Sequence, residues 1–271
     1  MYKDIAIVGH EGYVGKSLYR YLGNKEEYNI TGFDKKSSID SKGIQDSNHS
    51  LSFPDIIVFL AAYPGAAACL KNPKAAIRDN ITAPIWTIYE EFLTFAADSI
   101  FIFASSLGVR DWQQNFYTTT KYIVEQEMMR IADDYDADVR ILRFANIYGG
   151  PDYLKMKNSV ISRFAKNKMN NEMIVIDGDG SQIRDFIHIN DVCRAIKLCI
   201  EYGQPYSEPI DIGTGKGTSI VQLAKMFNHK FTFEPESDMI GTMKSIANIE
   251  AAEALWIFKS KYKIEDYMKG I

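Results

Sequence analysis

The chain is predicted to fold as an α/β protein, a doubly wound parallel sheet with a smaller, interleaved C-terminal lobe. Three observations predict it. Over the first 150 residues, apolar β-rich runs alternate with helical stretches of a length that suits crossovers between parallel strands. The first of these runs opens into a glycine-rich turn, and the second ends on an acid. With 271 residues, 46% of them hydrophobic, the chain can also bury a core larger than that of a minimal domain.

The expected strands are Asp4–Val8, Tyr28–Phe33, Asp55–Leu60, Ser99–Ala104 and Asp138–Phe144, and helices are expected to begin near Gly12, Pro73 and Tyr117. Beyond Pro151 the alternation loosens. A helix is predicted around Val160–Lys168, short strands near Met173–Ile176 and Pro209–Ile212, and helices near Asp191–Glu201 and Ile220–Phe227. Residues 1–150 are therefore expected to form a dinucleotide-binding domain and residues 151–271 a smaller substrate-binding lobe. Because no Pro/Gly/Ser-rich linker separates them, the boundary is soft.

Charge and cysteine usage narrow the function. With 31 Lys+Arg against 35 Asp+Glu, the net charge of −4 leaves no electrostatic footprint for a nucleic acid. Cys69, Cys193 and Cys199 lack metal-ligand spacing and suit reduced thiols in a core. The start of the chain has no signal-peptide layout. The longest uncharged stretch, Ile56 to Leu70, contains Pro64 and Gly65 and falls short of the roughly 18 to 20 residues of a spanning helix. A cytoplasmic protein without membrane or metal is expected.

The first strand runs into Gly9-His10-Glu11-Gly12-Tyr13-Val14-Gly15, a variant of the dinucleotide fingerprint. Glycines are needed where side chains would block the tight turn, the approach of backbone to pyrophosphate and the packing of helix on strand. The helix N-terminus then offers N–H donors to phosphate. Asp34 follows Gly15 by 19 residues, where a carboxylate can accept hydrogen bonds from an adenosine ribose and repel a 2′-phosphate. The arrangement is Rossmann-type and favours NAD, while Lys35 and Lys36 keep NADP open.

Tyr117-Thr118-Thr119-Thr120-Lys121 places a phenol and an ammonium one helical turn apart on one face. A phenol is a poor base at neutral pH unless positive charge stabilises its phenolate, and Lys121 can supply that charge. The preceding strand ends in Ser105-Ser106 at the carboxyl edge of the sheet, where such folds bind ligands.

Together these motifs resemble the extended short-chain dehydrogenases/reductases of the nucleotide-sugar epimerase/dehydratase family. Further segments carry the likeness in the same order: Phe59-Leu60-Ala61-Ala62, Asn80-Ile81-Thr82, Leu142 to Gly149, Gly178 to Ile189, and Asp211 to Gly215. The resemblance implies that Ser106, Tyr117 and Lys121 are catalytic. It implies that Gly9, Gly12, Tyr13, Val14, Gly15, Asp34, Leu60, Ala61, Ala62, Asn80, Tyr117 and Lys121 surround the cofactor, and that Ser106, Asn146 and Arg184 meet the substrate. His188 is read as a packed histidine rather than a base.

The chain also departs from the family. Tyr117 follows Ser106 by only 11 positions, so part of the usual substrate loop is missing, and Arg110-Asp111 stand where an aromatic-Gly pair is common. No arginine follows Arg194, which leaves Lys244 as a stand-in for a second phosphate-binding cation. Leu107-Gly108 replace the acid pair that a 4,6-dehydratase needs to protonate a leaving hydroxyl and remove an α-proton. An NAD-dependent nucleotide-sugar epimerase similar to UDP-glucose 4-epimerase is implied. An NAD(P)H-dependent ketosugar reductase and a non-catalytic dinucleotide-binding sensor or scaffold are the alternatives. In resembling enzymes the helices around Ile85–Leu93 and Tyr122–Met129 form a four-helix contact, and their large apolar residues (Trp86, Ile88, Tyr89, Phe92, Met128, Met129) lead to the expectation of a homodimer.

Overall fold

A computed structural model describes residues 3–34, 54–95, 99–156, 159–206, 208–235 and 242–270. In chain order its first half comprises β1 (Lys3–Val8), α1 (Tyr13–Gly23), β2 (Tyr28–Phe33), β3 (Ile56–Phe59), α2 (Ala66–Lys71), α3 (Pro73–Ile77), α4 (Ala83–Trp86), α5 (Leu93–Phe95), β4 (Ile100–Ser106), α6 (Phe116–Tyr135), β5 (Val139–Phe144) and β6 (Asn146–Tyr148). Then follow α7 (Val160–Met169), β7 (Ile174–Asp177), β8 (Ile183–His188), α8 (Ile189–Glu201), β9 (Ile210–Ile212), β10 (Gly217–Ser219), α9 (Ile220–Met226), β11 (Phe231–Glu234), β12 (Lys244–Ser245), α10 (Glu250–Trp256) and α11 (Ile264–Met268).

The large sheet is parallel, in the order β2-β1-β3-β4-β5-β9. From β1 the chain steps outward to β2 and then returns to the other side of β1 as β3. The switch point therefore lies between β1 and β3, where doubly wound sheets open a crevice at their carboxyl ends. Both faces are covered, as a parallel sheet requires. Leu18 and Leu22 of α1, Val192 and Ile196 of α8, and Trp256 pack on one face. Ile88 and Phe92, with Val124, Met128 and Ile131 of α6, pack on the other.

The sixth strand comes from late in the chain. Ile210–Ile212, expected within the second half, pairs with β5 in the large sheet, and α8 packs against α1. The rest of the second half forms a smaller sheet in which β8 is flanked by β10 and β12 and also pairs with β6. A β7–β11 ribbon completes it, over a core of Phe164, Ile176, Leu223 and Phe227. Among the described residues no helix is long and apolar enough to cross a membrane.

The helical stretch from Pro73 is interrupted by two wide π turns, Arg78–Thr82 and Thr87–Phe92. Pro84 explains the first. It has no N–H to give the carbonyl of Asn80 and its ring crowds that carbonyl, so the preceding turn widens and Ala83 N–H bonds back to Arg78 O. Of the residues proposed to pair chains, Ile88, Phe92 and Met128 are spent on the sheet, whereas Trp86, Tyr89 and Met129 are half-buried.

Candidate active site

One cleft of about 750 Å³ opens at the carboxyl ends of β1, β3, β4 and β5 and continues to the small lobe. Its first wall is mostly backbone. Gly9, at the end of β1, has φ +91°, and a Cβ there would lie 2.6 Å from Ala61 N. A Cβ on Gly15 would lie 2.2 Å from Gly9 O. Only glycine lets the turn fold against α1 and the β3 end so closely. Tyr13, Val14, Leu60, Ala61 and Ala62 line the same wall, and Asp34 stands at its edge, with Oδ2 accepting Glu11 N–H at 3.3 Å. Lys35 and Lys36 lie outside the described residues. These features fit an NAD molecule: a turn kept open by Gly9, Gly12 and Gly15 at a helix N-terminus and a carboxylate at the end of β2.

The side chains expected to carry the chemistry project from β4 and α6. Asn115 caps α6, its side chain accepting Thr118 N–H at 3.0 Å, and this cap holds Tyr117 in the first turn. Trp112, stacked on Tyr122 at 4.8 Å, adds its carbonyl as acceptor for the Thr118 hydroxyl at 3.0 Å. Lys121 is buried. Its Nζ donates to Ala104 O at 2.9 Å and sits 4.7 Å from the Phe103 ring centroid. Burial pushes the Lys121 ammonium down to about 8, against an opposing pull from Glu125 one turn away. Burial pushes the Tyr117 phenol up to about 12. Without a further positive charge the pair is a neutral phenol beside a readily lost ammonium proton. Ser106 completes the group, and its Oγ accepts Gly108 N–H at 3.3 Å. Beside it Ser105 is buried with its hydroxyl unpartnered among the described residues.

The far wall is made of side chains. Asn146 on β6 is exposed to the cleft and its Nδ2 donates to Asp185 O at 3.2 Å. Arg184 on β8 lines the cleft and donates to its neighbour's carbonyl, Ile183 O, at 2.9 Å; burial pushes the guanidinium's pKa down. Asp185 points the other way and accepts from Thr214, Gly215 and Ala247 N–H, which pins the β9–β10 turn behind the wall. His188 stacks on Tyr262 at 4.4 Å, caps Asn190 N–H, and lies where a Cβ on Gly149 would be.

One residue expected at the cofactor is elsewhere. Asn80 sits in the first π turn, fully buried behind the wall. Its Oδ1 accepts Tyr63 N–H at 2.7 Å, and its Nδ2 donates to Tyr63 O and to Thr120 Oγ1, both at 3.1 Å. It ties the loop after β3 to α6 one residue before Lys121. The cleft is also lined by residues that sequence reasoning did not single out, among them Arg78, Tyr153, Arg163 and Gln182. Gln182 lies inside the Gly178–Ile189 motif without a role implied for it, Arg78 enters from the first π turn, and Tyr153 and Arg163 reach the cleft only through the packing of the small lobe. Among the described residues no group of His, Cys, Asp or Glu gathers as a metal site would require.

A family model described as the NAD dependent epimerase/dehydratase family matches residues 5–213. The chain belongs to this family. It is 26% identical over 264 residues to a putative UDP-glucose 4-epimerase of Methanocaldococcus jannaschii, covering 86% of this chain and 84% of the relative. Over 111 residues, 41% of this chain and 31% of the relative, it is 33% identical to human dTDP-D-glucose 4,6-dehydratase. Among solved structures, the UDP-glucose 4-epimerase of Thermotoga maritima with UDP-glucose superposes with a TM-score of 0.82 at 23% identity, covering 98% of this chain and 96% of that one. The UDP-glucuronic acid 4-epimerase of Bacillus cereus with UDP-glucuronic acid and NAD gives the same TM-score at 21% identity and the same coverage. The fold is that of these epimerases, and the cofactor is NAD, as the family's description states.

Proposed function

We propose that this protein is an NAD-dependent nucleotide-sugar epimerase that inverts a sugar carbinol carbon by way of a transient ketone. The observation that carries the reading is the convergence of Ser106, Tyr117 and Lys121 on the cleft whose other end is the Gly9–Gly15 turn. The Gly9–Gly15 turn and Asp34 would hold NAD, which when bound would supply a reversible hydride acceptor. Ser106 Oγ holds the reacting sugar oxygen by a hydrogen bond. Tyr117 Oη takes the hydroxyl proton and later returns it, and Lys121 favours the phenolate by its charge while binding the nicotinamide ribose. Asp34 accepts from the adenosine ribose. Arg184 and Asn146 hold the diphosphate, the first as a guanidinium fork. Leu107 and Gly108 offer no acid for a leaving hydroxyl, which separates this reading from dehydration. Half-buried Trp86, Tyr89 and Met129 support a homodimer through α6 and the π-interrupted helix, and a monomer mass by sedimentation would count against it.

Incubation with UDP-glucose and a panel of other nucleotide sugars, followed by NMR, tests the assignment. Interconversion of C4 epimers with NAD retained and no net NADH change is expected. Net NADH consumption on a ketosugar would replace the epimerase by a reductase, and binding without turnover would leave a sensor.

A further inference from the structure

A run of alternating charges passes behind the reactive groups. Glu125, fully buried one turn beyond Lys121, accepts from Nε of Arg143 at 3.0 and 3.1 Å. Arg143 on β5 stands opposite Asp211 on β9 in the parallel register. The Asp211 carboxylate, 3% exposed, accepts from Nη2 of Arg110 and from Asn248 N–H at 2.8 Å. Arg110 also donates through Nη1 to Ile246 O at 3.1 Å. It lies in the 3₁₀ segment Leu107–Gln114, which starts immediately after Ser106.

The segment is held at more than one point. Its far end rests on α6, where Trp112 stacks on Tyr122 at 4.8 Å and its carbonyl accepts from the Thr118 and Thr119 hydroxyls at 3.0 and 2.9 Å. Nearer Ser106 it buries Leu107 and Val109, and there its attachment is also ionic, made to a buried carboxylate. An exposed pair of this kind would contribute little, but loss of one partner from a buried carboxylate leaves an uncompensated charge. Burial pushes the Asp211 carboxyl up. Asn248 N–H, Arg110 and Arg143 oppose that rise and Glu125 adds to it, so the members of the run sense one another.

We propose that Arg110 is a positioning residue. Through Asp211 it fixes the short segment that follows Ser106 and gives Gly108 N–H to the Ser106 hydroxyl, and through the run Asp211–Arg143–Glu125 it sets the field at Tyr117 and Lys121. The proposal rests on the reading of those residues as the reactive group. The other charged or ionisable groups in play are Cys69 beside Tyr117 and Lys121, Glu208 beside Arg143, and Asp111 and Lys244 beside Arg110. None of them lies between Arg110 and Asp211.

The test uses the NAD-loaded protein and two substitutions that break the same bond from opposite ends. Arg110→Gln removes a positive charge. Asp211→Asn removes a negative one and keeps an oxygen for Asn248 N–H. Both should lower kcat by about tenfold or more by loosening Ser106, with NAD content unchanged. Ultraviolet difference titration of the Tyr117 phenol, with Tyr117→Phe as the blank, should show opposite shifts, upward for Arg110→Gln and downward for Asp211→Asn. Arg110→Lys keeps the charge, so it should leave the titration near the parent's and recover part of kcat. A role confined to folding would lower stability in both variants without opposed shifts. Shifts that are absent or in one direction, or an unchanged kcat in both variants, would overturn the proposal. Should either substitution prevent folding, Arg110→Lys decides alone, since kcat equal to the parent's would show the fork to be irrelevant. If Tyr117→Phe itself turned over at the parent rate, it is the catalytic reading that would fall, whatever Arg110 does.

Discussion

The two walls of the cleft are built on different principles. On the dinucleotide side the surface is main chain: Gly9 and Gly15 are placed so that no Cβ fits, and Leu60–Ala62 approach across a gap that the missing side chains leave. On the side proposed for the sugar the surface is side chain. Asn146 and Arg184 project from β6 and β8, and these strands are held by polar contacts between residues distant in sequence, such as Asn146 with Asp185 and Asp185 with Thr214. A backbone wall binds what every family member binds. A side-chain wall can change residue by residue.

The sharpest way to break the comparison is at the seam where the walls meet. Tyr117→Phe keeps ring packing and removes one oxygen, so fold and NAD content should survive while turnover falls by about 10²- to 10⁴-fold, measured by NMR on the interconverting sugars. The same seam predicts a pH dependence. Lys121 is held near 8, so its ammonium is present below that pH and lost above it. If the ammonium favours the phenolate as proposed, kcat/KM should fall on the alkaline side with a midpoint near 8 in the free protein, and a profile flat to pH 10 would count against Lys121.

Next in size is the backbone wall. Gly15→Ala sets a Cβ 2.2 Å from Gly9 O and 2.6 Å from His10 Cα, both main chain, so the turn must move. NAD recovered with the purified protein should fall at least about tenfold if that turn receives the pyrophosphate as expected. Gly23→Ala at the other end of α1 meets nothing within 4 Å and should leave NAD content unchanged. Equal NAD content in the two variants would remove the distinction between the walls.

The difference also explains what could be read from the residues alone. The backbone wall is written locally: strand, glycines and acid lie within residues 4–34, and each imposes its own conformation. The strands of the large sheet were legible as apolar runs, yet Ile210–Ile212 was legible only as a strand, since its partner β5 is about 70 residues away and pairing has no local signal. Asn80 matched a motif, but its direction depends on the π turn before Pro84, and that turn faces it into Tyr63 and Thr120. The Arg110–Asp211 bond spans 101 residues and reads in the sequence only as a departure from a familiar pattern.

On the side-chain wall, Arg184→Ala removes a guanidinium from the cleft. Charge-assisted hydrogen bonds contribute about 1.5–3 kcal/mol, so KM for the nucleotide sugar should rise by about 10- to 150-fold. NAD content and kcat at saturation should change little. Arg184→Lys should recover only part of the loss, because a point charge does not reproduce the fork. A rise in the NAD dissociation constant with an unchanged KM would move Arg184 to the other wall.

The smallest effect is expected where one wall touches the other directly. Tyr13 belongs to the glycine turn, yet its hydroxyl donates at 2.6 Å to the carbonyl of Gly149, at the end of the β6 segment that presents Asn146. The ring also lies 5.8 Å, between centroids, from Tyr153 of the far wall, so its packing and its hydrogen bond can be separated by Tyr13→Phe. The substitution leaves the ring, the glycines and Asp34 in place and strands one largely buried carbonyl oxygen. Such a bond contributes about 0.5–1.5 kcal/mol, which corresponds to a weakening of about 2- to 12-fold. Because the lost bond restrains the segment bearing Asn146, the change should appear in KM for the nucleotide sugar and leave NAD content alone. Calorimetric titration of the NAD-loaded variant with UDP-glucose measures it. If Tyr13→Phe instead lost NAD and kept its sugar affinity, Tyr13 would serve only the backbone wall, and the two walls would be independent at this contact.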